Sequence, residues 1–241
     1  MTHLSKNRFG IPHARSIRSA SKGQSFVELS LVALLLMLLV AGIAEYGVLL
    51  NRYLNLLDAV REAARYNSNF NPFCPPPGTA SCPVGQVTPD YYKLTACEVV
   101  QVLYPVVLYP ERGDDIVVSF FTVEESGGLS SITKRYPLTE AEHGWSWAQN
   151  GDDTGAANSK CHDPGLGGTR NPSTYSKQSS AFVQSRMDST APSVSVSLVE
   201  IFYNYPQTLR LPVFEQMIPD PIPVYTYAIM PIKNITFTPT P

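Results

Sequence analysis

A chain of 241 residues with 44% hydrophobic and 16% charged side chains has room for one ordinary domain beyond any membrane segment, and it is too apolar for a disordered chain. Its 21 prolines argue for a proline-punctuated, β-rich domain over a helical bundle. The formal net charge of −2 hides an asymmetry: residues 1–23 hold Lys6, Arg8, Arg15, Arg18 and Lys22 with no acid, leaving 13 basic and 20 acidic side chains to the rest. No basic cluster dense enough to grip phosphates follows Gly23, which excludes a nucleic-acid partner.

After this basic leader, residues 29–50 form an apolar run with Ser30 near its start and one charge, Glu45. At 1.5 Å per residue such a run makes about 33 Å of helix, close to the roughly 30 Å of a bilayer's hydrocarbon core. All five leader cations precede it, so the positive-inside rule places the N-terminus in the cytoplasm and the residues after about Asn51 outside. The segment reads as a plain anchor, as a secretory signal peptide or as a processed leader. Gly42-Ile43-Ala44 before Glu45 offers small residues to a signal peptidase. The apolar run is nevertheless longer than a secretory h-region and resumes at Tyr46.

The discriminating stretch is Ser21-Lys22-Gly23-Gln24-Ser25-Phe26-Val27-Glu28. A carboxylate at the entry to an apolar run makes membrane insertion costlier. A helix N-terminus offsets part of that cost, by about 0.3–1 kcal/mol. The stretch resembles the class III prepilin leader, in which a basic segment ends in Gly, cleavage follows, and a Glu stands fifth in the mature chain. Further along come Gly42-Ile43-Ala44-Glu45-Tyr46-Gly47 and Ala59-Val60-Arg61-Glu62-Ala63-Ala64-Arg65-Tyr66. The three elements together resemble the TadE-like minor pilins of tight-adherence (Tad) pili. Two departures are visible: Leu34-Leu35-Leu36 lacks the Pro often found there, and Val48 rather than Arg follows Gly47.

The resemblance implies an α+β, pilin-like fold and a single-pass inner-membrane subunit, minor pilin or pseudopilin. It implies a prepilin peptidase cutting between Gly23 and Gln24, and Phe26 and Glu28 as assembly residues, with Glu28 meeting the new N-terminal amine. Its implied partners are other pilin or pseudopilin subunits, the peptidase, an inner-membrane assembly platform and the lipid bilayer. Residues 24–67 are expected to form one helix, 29–50 within the membrane. In the second half Leu50, Leu54, Leu57 and Ala64 share a stripe able to pack on the exported domain, while Asp58, Arg61, Glu62 and Arg65 face water.

Helix propagation must stop at Asn71-Pro72-Phe73-Cys74-Pro75. Residues 69–241 then form the exported domain. Its four cysteines, Cys74, Cys82, Cys97 and Cys161, lie on the oxidising side and are read as disulfides, with three pairings open. Cys74 with Cys82 and Cys97 with Cys161 is the expected set. Zinc is the weaker reading, since no C-x-x-C pair is present and His162 directly follows Cys161.

A helix is expected from residue 89 to 104, strands over 115–123, 194–205 and 222–232, and a weaker strand over 132–138. These form an antiparallel sheet laid against the long helix. Residues 140–192 are expected to be a long polar loop. Its Asp152, Asp153, Asn158 and Asp163 lack the ligand ladder of a calcium loop, and Trp145 and Trp147 are read as anchors to the core. The Asn234 sequon is assigned no role. No catalytic motif of the hydrolase, P-loop or zinc-protease kind occurs, so no enzyme and no cofactor are expected. The alternative function is a stand-alone, membrane-anchored surface binding protein.

Overall fold

The computed structural model describes residues 21–74, 85–126, 129–138, 143–150, 170–187, 195–210 and 218–232. The chain falls into two compact units that divide between Tyr46 and Gly47, within the first helix, α1 (Ser21–Asn67).

In the first unit α1 is largely apolar. Phe26, Leu31, Leu34 and Met37 are all exposed. An 18-residue window of this helix reaches a mean hydropathy of 2.6 with none of it buried. A largely apolar helix on which none of the described residues pack is suited to hydrocarbon, where its backbone groups are satisfied internally.

In the second unit α1 behaves as an amphipathic helix. Its buried stripe is Leu56, Ala59, Val60, Ala63, Ala64 and Asn67, which corrects the expected one: Leu50 and Leu54 are exposed and Leu57 is only partly covered. The reason is steric, because alanines let a helix backbone approach its neighbours more closely than leucines do. Arg65 pairs with Glu62 on the outer face, as the i,i+3 spacing implies. The helix closes at Asn67, whose buried side-chain amide donates to Thr95 Oγ1. Thr95 lies on α2 (Pro89–Leu103), which starts on an N-cap hydrogen bond from Tyr91 N to Thr88 Oγ1, with Pro89 and Asp90 in its first turn.

The sheet runs in the order β2 (Leu129–Tyr136), β1 (Asp115–Ser126), β4 (Ser195–Tyr205), β5 (Ile222–Ile232), every pair antiparallel. The short β3 (Trp145–Ser146) pairs with the start of β1, at Val117 and Val118, extending the edge that β2 occupies further along. A bulge between Thr122 and Val123 shifts the β1–β2 register. The α+β class read from the sequence is the observed one.

Alternation along β1 and β4 sends Ile116, Val118, Phe120, Val199, Ile201 and Tyr203 into one core with α1 and α2. Phe121, Val123, Val196 and Leu198 point to the opposite face. There they meet Val183 of α4 (Ser180–Arg186), a helix the sequence reading did not anticipate. The described parts of residues 140–192 thus pack against both faces and one edge of the sheet, a departure from the expected long polar loop. They include β3, α3 (Trp147–Asn150) and α4. Trp145 and Trp147 are buried, with Trp145 stacked on Tyr92 at 5.7 Å between ring centroids, the anchoring expected of them. Gly144 (φ +76°) is required by this layer: a Cβ there would lie 2.6 Å from Ser119 Oγ and 2.7 Å from Val117 Cγ1.

Because Ala63 is fully buried, Ala63→Leu overpacks the helix–sheet contact and is expected to cost about 1–3 kcal/mol. Leu54→Ala, on the exposed side, is expected to stay within about 0.5 kcal/mol. Thermal unfolding of the full chain in detergent measures both, and equal losses would place the packing stripe on the leucines after all.

Candidate functional site

Gly23, Gln24, Phe26 and Glu28 are all in α1 and all exposed. Gln24 and Glu28 are four residues apart, one helical turn and about 6 Å along the axis. They share a facet with Val27, Leu31 and Val32, which with Gly23 line one shallow depression. A Cβ added at Gly23 would meet nothing within 4 Å, so glycine is not demanded there by packing. Glycine does weaken helix by about 1 kcal/mol relative to alanine, so α1 is locally weaker at this position. A chain beginning at Gln24 would place its positive amine one turn from the Glu28 carboxylate, on a face left exposed by the described residues of the first unit.

The second unit holds another arrangement, absent from the sequence reading. Asp115 and Glu200 are fully buried on the α4 side of the sheet. Asp115 accepts from Ser146 Oγ at 2.6 Å, Ala148 N at 2.9 Å and Thr174 Oγ1 at 3.0 Å. Glu200 accepts from Tyr225 Oη at 2.7 Å, Lys177 N at 3.0 Å and Ser176 Oγ. Arg135 donates to Gln178 O at 3.0 Å and to Ser119 Oγ at 2.9 Å. Arg170 donates to the carbonyls of His143, Gly144 and Thr174. The two acids thus tie segments 143–150 and 170–178 to β1 and β4. None of these groups forms a nucleophile–base pair with an open approach, and the arrangement acts as an internal fastening. Glu200 in the middle of the apolar run 196–203 was the one signal in the sequence that pointed to it.

Cys74 and Cys97 are disulfide-bonded and carry no free thiol. Cys82 and Cys161, with Asp152, Asp153, Asn158, His162, Asp163 and Asn234, lie outside the described residues, as do the leader cations Lys6, Arg8, Arg15 and Arg18.

A long apolar helix whose continuation packs on an antiparallel sheet is the arrangement of a membrane-anchored, pilin-like protein. Residues 23–65 match the family model described as TadE-like protein, so the TadE-like resemblance of the N-terminal helix holds over that segment. The match opens on Gly23 and closes on Arg65. No curated protein and no solved structure matches the chain.

Burial, the largest influence, pushes the Glu200 carboxyl above the ordinary carboxylate range against the hydrogen bonds from Ser176, Tyr225 and Lys177 N and the charge of Arg135. Asp115 is raised by burial in the same way, against Ser146, Ala148 N, Thr174 and Arg170. A raised carboxyl binds its proton more tightly in the folded state. The stability it contributes is present below its unfolded pKa and is lost as pH rises through the folded one. Between about pH 5 and pH 8 the melting temperature of the full chain in detergent is expected to fall more steeply than that of Glu200→Gln. Parallel profiles would show that Glu200 is ionised throughout.

Proposed function

We propose that the protein is a minor pilin or pseudopilin of a Tad-type pilus, a non-enzymatic structural subunit anchored in the inner membrane with its N-terminus cytoplasmic. A prepilin peptidase cuts between Gly23 and Gln24, and the exposed apolar facet of α1 then packs against the helices of other subunits at the assembly platform. Phe26 supplies apolar contact. Glu28 supplies the charge that selects register, since opposite charges attract strongly where little water is present. The observation that carries this reading is the family match beginning at Gly23, with Glu28 one turn into the chain that cleavage would create. The bulk of the exported part favours a minor over a major subunit. Disulfides pairing Cys74 with Cys82 and Cys97 with Cys161 complete the proposal on the oxidising side.

Intact-mass spectrometry of protein from its native membrane is expected to find a chain starting at Gln24. A retained leader, or a start at Glu45, overturns the cleavage. The variant Glu28→Ala is expected to be cut normally but to co-purify poorly with partner pilins; undiminished co-purification removes Glu28 from the assembly contact.

A further inference from the structure

One end of the second unit combines features that its cores do not use. At this end β1 begins, β4 ends, β5 begins and α2 ends. The part of α1 that belongs to this unit enters it here, with Arg52 near Tyr203. Leu49 packs against the larger core. Arg52, Arg112, Asp114 and Tyr109 all lie close enough to the Tyr203 hydroxyl to act on it electrostatically. Asp114 ties the pieces together by accepting from Tyr109 N at 2.8 Å and Asn204 N at 2.7 Å, and Asn204 donates to Arg112 O at 2.7 Å.

On this end the apolar side chains face outward. Tyr104 is 82% exposed, Val107 54%, Ile218 41% and Tyr109 39%. They belong to two different connections, α2–β1 and β4–β5, so their common placement is not an accident of one loop. Basic groups stand among them: the Arg112 guanidinium lies 3.7 Å from the centre of the Tyr109 ring, and Arg210 adjoins Asp220. Water is a poor surrounding for such a group of side chains, whereas tyrosines with neighbouring arginines are the residues that collect at the headgroup boundary of a bilayer.

Resting on the membrane-anchored reading of α1, we propose that this end of the exported domain, through Tyr104, Val107, Tyr109 and Ile218, rests in the lipid headgroup layer around the emerging helix. The occupant is the bilayer surface itself. Chain connectivity argues for lipid over a protein partner, since Leu50, the last residue of the apolar run, stands only two positions before Arg52, and Arg52 is already at this end. Two residues of helix advance about 3 Å, so these side chains are held within reach of the interface. The domain is then fixed against the membrane at several points rather than pivoting on one helix.

Site-directed spin labelling tests this on the full, oxidised chain, in which Cys74 and Cys97 have no free thiol to compete for the label, and the unsubstituted chain treated in the same way gives the background. The chain is reconstituted in vesicles of phosphatidylethanolamine mixed with phosphatidylglycerol. Labels go at Val107→Cys, at Leu129→Cys, exposed at the start of β2 at the far end of the sheet, and at Leu36→Cys in the apolar run. Collision rates are compared for oxygen, which partitions into lipid, and for a nickel complex, which stays in water. The expected result is an oxygen-to-nickel ratio at position 107 several-fold above that at 129 and below that at 36. Equal ratios at 107 and 129, with 36 in lipid, overturn the docking and leave the anchor standing. A label at 107 shielded from both reagents overturns it in favour of a protein contact. Nickel access at 36 removes the anchor and the docking together. A label at Tyr104→Cys must repeat the result at 107, and a water-like ratio there also sinks the proposal.

Discussion

Helix α1 has to suit two surroundings within one unbroken run of hydrogen-bonded backbone, and most of the architecture follows from that. Up to Tyr46 its side chains are mostly apolar and mostly exposed, a surface suited to lipid or to other apolar helices. From Leu56 onward it buries a narrow stripe dominated by alanine and directs Asp58, Arg61 and Arg65 outward. The small residues matter because the sheet presents bulky partners, Phe120, Ile201 and Tyr203 among them. Small on the helix and large on the strands is how two such surfaces reach the packing density of a protein interior. The helix then stops through a side-chain hydrogen bond, Asn67 to Thr95, which fixes where α2 crosses it.

A sheet with α1 and α2 on one face would still leave Phe121, Val123, Val196 and Leu198 in water. The chain covers them with α4, and holds the connecting segments down with buried acids instead of more hydrocarbon. The choice has a physical logic. The segments 143–150 and 170–178 are short and rich in backbone groups without helical or strand partners, and buried backbone groups need hydrogen-bond partners. A carboxylate accepts several such bonds at once, as Asp115 and Glu200 each accept three. Arg170 does the converse for three carbonyls. Desolvation is the cost, visible in the raised carboxyls. The hydrogen bonds and nearby arginines offset it.

How much of this was legible varies with the kind of signal. The span of β5 was read to the residue, because β-branched and aromatic side chains between prolines leave little alternative. Segment β2 was placed three residues late at its start, where Leu129 and Ser130 carry weak strand preference. The packing stripe of α1 was misphased because leucines attract attention as core residues, and whether alanine is buried depends on how close a partner comes, which no single helix reveals. Helix α4 was missed for a related reason: seven residues flanked by serines show barely two turns of periodicity, and its cap from Ser179 is a local detail. The buried acids were the least legible. Whether Asp115 is covered is decided by Thr174, a residue 59 positions away. The helix that carries Gln24 and Glu28 was the most legible, because their one-turn spacing belongs to a single helix and does not depend on tertiary neighbours.

That independence bears on how the proposed processing would work. The leader holds five cations and no acid, a charge that would resist passage through the bilayer and, in the proposed topology, would keep the start of α1 at the cytoplasmic face until cleavage. Removing it leaves a single positive amine at Gln24 and a single carboxylate at Glu28, one turn apart on an exposed facet. The start of the helix passes from strongly cationic to formally neutral. The two charges that remain are too close to the helix end to be ignored by it: the carboxylate is favourable there and the amine is not. In a lone helix the amine is therefore the poorly placed charge, and a neighbouring helix that offers its own Glu28 improves its surroundings. Charge removal and charge pairing then favour the same outcome, which is release from the cytoplasmic face into a bundle of like helices. The apolar residues around Glu28 need only be exposed for this to occur, and Phe26, Val27, Leu29 and Leu31 all are.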